Sequence, residues 1–273
     1  MESIKDTRDT YSLLWENSGN AIPPKWHFNT MQEVIDEPIV RGSRGIEVGS
    51  GCGFDSFIMA KNNPSFQLVS MDISDGVYSA ARLTGELKNV SVLRASSLDL
   101  PFRQETFDFC YSYGVIHHTP DPARCFDEIR RVLKKDGRIY LYLYEDHSDN
   151  VWKKYPVKAA YFIRKLTSML NKRLLYFLCM LMSPAIFLIF TVPSKILKCF
   201  SRTRRIADQM PFNFGTHPFS LRWDLYDRFG APIEFRFNRE NLKDMLEKSG
   251  FTDAKFTKLK TSAGLVVWAR LKR

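Results

Sequence analysis

Residues 45–56 read GIEVGSGCGFDS, and the parsing of the whole chain follows from them. Gly45–Val48 is an apolar, strand-type run. Gly49, Gly51 and Gly53 follow it directly, before a helical pattern that begins near Phe54. Glycines suit such a turn because the chain bends sharply and a ligand must approach the backbone with no Cβ in the way. The spacing is G-x-G-x-G, position 54 is Phe, and Glu47 sits inside the strand. A loop built for a dinucleotide wants space at a third glycine for a pyrophosphate on the helix N-terminus, so this departure favours a ligand without phosphates.

Outward from the loop, strands and helices alternate. A helix is predicted from about Phe54 to Asn62, a strand over Gln67–Asp72, a helix over Val77–Leu87 and a strand over Val90–Arg94. A strand over Phe107–Ser112, a helix from about Pro122 to Leu133, a stop at Lys134–Gly137 and a strand over Arg138–Tyr144 continue the rhythm. It breaks from about Asp146 to Gly230. It resumes with Asn238 as an N-cap, a helix over Arg239–Lys248 and strands near Thr252–Leu259 and Gly264–Leu271. Only Lys260–Ala263 separates these last strands, which predicts an antiparallel hairpin. Alternation of this kind predicts an α/β fold with helices on both faces of the sheet.

The strand-end glutamate and the three glycines, E-x-G-x-G-x-G, resemble motif I of the class I methyltransferases that use S-adenosylmethionine (SAM). Asp72 ends the next strand nineteen residues after Gly53. A carboxylate there can accept two hydrogen bonds from vicinal ribose hydroxyls. Residues 93–144, LRASSLDLPFRQETFDFCYSYGVIHHTPDPARCFDEIRRVLKKDGRIYLYLY, are similar to the core block of the methyltransferase type 11 group. The resemblance implies a Rossmann-like seven-stranded sheet, mostly parallel with the last strand antiparallel, and a helical insertion between strands 5 and 6. It implies a helical lid over 1–40, a SAM-binding domain over 41–147 and 231–273, and the insertion over 148–230. It also implies SAM as cofactor, with S-adenosylhomocysteine as its product, held by Glu47, Gly49, Gly51, Gly53, Asp72 and Ile73. Ser96 and Ser97 would lie at the adenine, and the backbone of Tyr113 at the methionine end. The group more often has Asp where Ser96 stands, which leaves a backbone N–H of Ser97 to read the ring edge.

An activated sulfonium needs an in-line acceptor, exclusion of water and, for some acceptors, a base; no metal is expected. His117 and His118 follow the strand over Phe107–Ser112 and so belong at the carboxyl edge of the sheet. One of them is a candidate general base, with packing or helix capping as the alternative. Glu145, Asp146 and His147 are adjacent, converge poorly on one ion and are expected to form a solvated turn. His217, Trp223 and Tyr226 form an aromatic and polar stretch that suits either an acceptor pocket or plain packing. Tyr11 and Trp15 lie on a predicted N-terminal helix, to close over the cofactor or pack in the core.

Net charge is +10, and its placement is uneven. Between Val151 and Ala207 there are twelve Lys and Arg residues and no Asp or Glu, so this one segment carries the whole excess. Within it, Leu174–Val192 is nineteen residues without a charge. Pro184 is expected to break that run into pieces too short to cross a bilayer. The segment therefore predicts either helices lying on an anionic membrane surface or a soluble cap over the acceptor pocket. Five scattered cysteines with no C-x-x-C pair fit reduced thiols, and the charged N-terminus lacks the apolar core of a secretory leader, which predicts a cytoplasmic location, peripheral to the membrane in the first reading.

Together these features predict a SAM-dependent methyltransferase for a small, hydrophobic or membrane-presented acceptor: a lipid, a quinone precursor or a polyprenyl- or glycan-linked intermediate. Two alternatives are RNA methylation and a non-catalytic peripheral membrane protein on the same fold. The cations alternate with aliphatic rather than stacking aromatic residues, so no nucleic-acid partner is expected.

Overall fold

In the computed structural model, which describes residues 2–16, 26–148, 151–259 and 264–272, the strand-type runs form a sheet. Its strands are β1 (Arg44–Val48), β2 (Gln67–Asp72), β3 (Val90–Arg94), β4 (Phe107–Tyr113), β5 (Leu133–Tyr144), β6 (Phe251–Thr257) and β7 (Gly264–Leu271). Their order is β3-β2-β1-β4-β5-β7-β6. β1 to β5 pair in parallel, and β7 pairs antiparallel to both β5 and β6. The predicted link 260–263 lies outside the described residues, as do residues 17–25 of the predicted lid and 149–150 of the predicted insertion.

The helices are α1 (Glu2–Glu16), α2 (His27–Gln32), α3 (Phe54–Asn62), α4 (Gly76–Thr84), α5 (Pro122–Val132), α6 (Val151–Thr167), α7 (Lys172–Ile186), α8 (Val192–Lys198), α9 (Arg204–Gln209), α10 (Arg222–Gly230) and α11 (Arg239–Lys248). Local chemistry sets their starts. Asp121 accepts from Arg124 N–H (3.0 Å) with Pro122 in the first turn of α5, and Asn238 accepts from Asn241 N–H (2.8 Å) at α11.

Alternation along the central strands divides two cores. Ile139, Leu141 and Leu143 of β5 and Leu265, Val267 and Ala269 of β7 join Phe126, Ile129, Leu242 and Leu246 in an aliphatic layer. Their neighbours Tyr140, Tyr142, Val266 and Trp268 face the other way, with Phe109, Tyr111, Met31 and Met59. A sheet covered on both faces needs apolar residues at successive positions, which is why its strands read as unbroken hydrophobic runs.

The chain divides into two compact units, Met1–Lys154 with Ile233–Arg273, and Tyr155–Pro232. The first holds the sheet. The second consists of most of α6 and all of α7 to α10.

Three local expectations are corrected. The stop at Lys134–Gly137 lies within β5: Phe107 pairs with Leu133 and Phe109 with Arg138, so the turn bulges between two paired positions, with Asp136 at φ 60°. Pro184 does not break its helix, because α7, a π-helical turn over Phe187–Thr191 and α8 run on without interruption from Lys172 to Lys198. Glu145 and His147 are buried rather than solvated, paired with each other at 3.2 Å, and Lys258 reaches the same Glu145 oxygen at 2.7 Å.

Candidate functional site

The carboxyl ends of β1, β2, β3 and β4 open onto one cavity. Asp72, the last residue of β2, ties the loops around it together. Gly51 N–H donates to its Oδ2 (2.8 Å), while the backbone N–H (2.8 Å) and hydroxyl (2.6 Å) of Ser74 donate to Oδ1. Gly51 has φ +54°, and a Cβ there would stand 2.5 Å from the Trp15 ring of α1. Gly53 has φ +85°, and its Cβ would strike the backbone of Ala80 in α4 at 2.8 Å. Both positions therefore need glycine for conformation and for space.

Seven predicted site residues line this cavity: Gly49, Asp72, Ile73, Ser96, Ser97, Tyr113 and His118. Ser96 shapes its turn by accepting from Leu98 N–H (3.2 Å), and the Ser97 hydroxyl accepts from the thiol of Cys125 at 3.4 Å. The Tyr113 ring is held between His27 (centroids 3.9 Å apart) and Tyr142 (4.3 Å). Glu47, Gly51, Gly53 and His117 lie behind that lining. His117 is fully buried, stacked on Tyr144 with centroids 3.9 Å apart, and its carbonyl accepts from Phe235 N–H. His217, Trp223 and Tyr226 belong to the second unit, where Trp223 and Tyr226 pack on Tyr176 and His217 is exposed.

Beneath the glycine loop sits a buried acidic cluster. The Glu47 carboxyl meets the Ser56 hydroxyl, which lies 2.7 Å from that of Ser70. Asp55 accepts from Phe28 N–H (2.7 Å) and from the Tyr111 hydroxyl (3.0 Å). Burial pushes Asp55 up to about 7. Burial first, and then the negative charge of Asp55, holds Glu47 well above the usual carboxylate range.

His118 is different. Its Nδ1 lies 2.7 Å from the carbonyl of Ile233, which fixes the proton on Nδ1, and its Nε2 is buried without a hydrogen-bond partner. With the proton on Nδ1, the lone pair of the imidazole lies on Nε2.

Four residues of α1, namely Ile4, Thr7, Tyr11 and Trp15, also line the cavity, and Ser12 Oγ accepts from Asp75 N–H at 3.0 Å. Their spacing of three, four and four places them on one face of the helix, a signal readable in the sequence for Ile4 and Thr7 as well. Val115 and Thr119 had no such signal, since each depends on how the chain turns after β4.

The lining fits SAM in its donor set. A carboxylate stands at the end of β2, a serine turn follows β3, the glycine loop follows β1, and Ser50 Oγ in that loop is buried without a hydrogen-bond partner. Among the described residues, no group of three His, Cys, Asp or Glu side chains could hold a metal ion.

A family model described as a methyltransferase domain matches residues 46–141, the segment that builds this cavity's sheet edge. Within the first unit, residues 46–141 thus match a methyltransferase domain, on a fold shared with a SAM-dependent methyltransferase. A tRNA (carboxymethyluridine(34)-5-O)-methyltransferase of Saccharomyces cerevisiae is 39% identical to the chain over 94 residues, which is 34% of this chain and 32% of that protein. A chloroplastic 2-methyl-6-phytyl-1,4-hydroquinone methyltransferase of Oryza sativa subsp. japonica is 33% identical over 128 residues, 46% of this chain and 38% of its own length. The chain thus spans about a third of the length of the curated relatives it matches. The crystal structure of a SAM-dependent methyltransferase from Aquifex aeolicus shares the fold, with a TM-score of 0.52 at 14% identity over 99% of this chain and 97% of that one.

Proposed function

We propose that the protein transfers the methyl group of SAM to a small apolar acceptor that bears a protonated nucleophile, and that His118 receives the proton. The observation that carries this reading is the arrangement of His118. A fixed tautomer leaves a buried, unpartnered Nε2 on a residue that lines the same cavity as Asp72.

SAM supplies an already activated methyl group on its sulfonium. Asp72 would accept from the ribose hydroxyls, Ser96 and Ser97 would edge the adenine, and Gly49 with the backbone of Tyr113 would border the methionine end. Tyr11, Trp15 and Ile4 line the cavity from α1 and would help to exclude water from the bound cofactor. The rest of the lining is largely apolar, with Val48, Met71, Leu98, Val115 and Pro120, which favours a lipid, a quinone precursor or a polyprenyl-linked intermediate. The rice relative, named for a phytyl-bearing hydroquinone, supports an acceptor of this kind.

The test is incubation of the protein with methyl-labelled SAM and a membrane lipid extract, followed by solvent partition. Label in the organic phase, lost with His118→Gln while SAM affinity is kept, is the expected result. RNA methylation is a second reading, favoured by the name of the yeast relative and by the net charge of +10. Label recovered only in RNA from a matched RNA incubation would establish it instead.

A further inference from the structure

We propose that the unit Tyr155–Pro232 docks in the plane of a bilayer surface rich in anionic lipid, with the apolar outer faces of α6 and of the long helix Lys172–Lys198 sunk among the headgroups. The observation is a helix whose outward face is apolar. Its face toward the rest of the unit carries buried Leu175 and Cys179 and then Ser183, Thr191 and Ser194, all three fully buried, and each hydroxyl donates to a backbone carbonyl: Pro218 (2.7 Å), Phe212 (2.5 Å) and Ala207 (3.2 Å). Its outer face carries Leu174, Phe177, Leu178, Leu181 and Met182 at i, i+3, i+4, i+7 and i+8, all exposed. A water-soluble cap would carry polar side chains on that outer face, because exposed leucine and phenylalanine at helical spacing forgo the burial that stabilises a helix.

Helix α6 shows a related pattern. Tyr155, Ala159, Phe162 and Leu166 form one exposed stripe, with Leu166 at 71% exposure. Lys158 and Lys165 lie on the adjacent stripe, about a quarter turn away. Apolar side chains flanked by lysines are the arrangement by which a helix lies along a headgroup boundary, aliphatic stem down and ammonium up. Twelve cations with no acidic residue between 151 and 207 complement anionic lipid.

The long helix has 27 residues, about 40 Å, which exceeds the roughly 30 Å of a hydrocarbon core. Length alone would permit a crossing. Its partner forbids one, because the returning segment pairs antiparallel along it through Ser194 with Ala207, Thr191 with Phe212, Ser183 with Pro218 and Tyr176 with Arg222. That segment holds seven charged residues between 204 and 230. Burying them in hydrocarbon is costly, so the hairpin lies along the surface with its apolar face down and its charged leg toward water.

The test is flotation of the full chain with phosphatidylcholine vesicles, with and without phosphatidylglycerol. The protein is expected to float with the anionic vesicles. The triple variant Phe162→Ser, Leu181→Ser, Leu188→Ser should lower the partition coefficient by about tenfold or more. Lys158→Gln with Lys165→Gln should weaken binding mainly at low salt. All five side chains are exposed, so helical circular dichroism should match the native chain. Three outcomes would overturn docking: no flotation with either vesicle, equal flotation of the serine variant, or binding that follows only the lysines and is competed away by tRNA. SAM titration of the same samples separates this from the proposed methyl transfer, since failure of one leaves the other standing.

Discussion

Replacing Asp72 by Ala should act twice, on the fold and on the cofactor. The carboxylate accepts from Gly51 N–H (2.8 Å), Ser74 N–H (2.8 Å) and the Ser74 hydroxyl (2.6 Å), and it is only 8% exposed. The hydroxyl can rotate to another acceptor, but the two backbone donors cannot. Each is buried, and a buried unpaired donor costs about 1–3 kcal/mol, so the loss in stability is about 2–6 kcal/mol. For a domain of this size 1 kcal/mol lowers the melting temperature by about 2–4 °C, which puts the expected drop near 10 °C. Loss of the ribose hydrogen bonds removes a further ~1–3 kcal/mol from SAM binding alone, a weakening of roughly 5- to 150-fold. Asp72→Asn keeps one acceptor oxygen but turns an NH2 toward a donor, so it should fall between Ala and native. Differential scanning calorimetry without ligand reads the first effect, and isothermal titration with SAM the second. An Ala variant that melts within about 2 °C of native would refute the claim that this carboxylate holds the two loops.

Gly51→Val should lose SAM binding and stability, because φ +54° is strained for a branched residue and its Cβ would press on Trp15; adding Trp15→Ala should recover part of the melting temperature. His118→Gln should slow methyl transfer to a protonated acceptor by about 10²–10⁴-fold with SAM affinity unchanged, read as kcat against Kd; an equal fall in both would place His118 in binding only. Stability should depend on pH through Asp55. Burial raises it to about 7, so its contribution is complete below the ordinary carboxylate range and is lost as pH rises through about 7. Melting temperature should therefore decline between pH 5 and 8 by an amount that Asp55→Asn removes, and an unchanged slope in that variant would show that another group titrates.

The order of elements was legible because a sheet covered on both faces leaves its mark on every strand. Runs such as 139–143 alternate aliphatic and aromatic residues, and both kinds are apolar because both faces are buried. The glycine loop and Asp72 were legible as a pair because a sharp turn and a strand-end acid are local features. The distance from Gly51 N–H to Asp72 was not, since it depends on β1 and β2 pairing side by side, Val48 with Met71. Nor was the distinction between His117 and His118. Adjacent in sequence, they part company only because a short helical turn over Ile116–His118 aims one ring at Tyr144 and the other at the Ile233 carbonyl.

The second unit was hardest to read, for a reason that lies in what a hydropathy window can measure. Leu174–Val192 has the same composition whether it crosses a bilayer, lies on one or sits inside a cap. What tells against a crossing is the returning leg that pairs with the helix from 207 to 222, since that leg carries seven charged residues between 204 and 230. Between the other two, the exposed outer face favours the proposed bilayer contact. Ser183, Thr191 and Ser194 share the contact face with Leu175 and Cys179, while Leu174, Phe177, Leu178, Leu181 and Met182 point outward and are exposed. A chain selected for solubility would place such residues inward, where they contribute to the core; outward, they suit the bilayer contact proposed above.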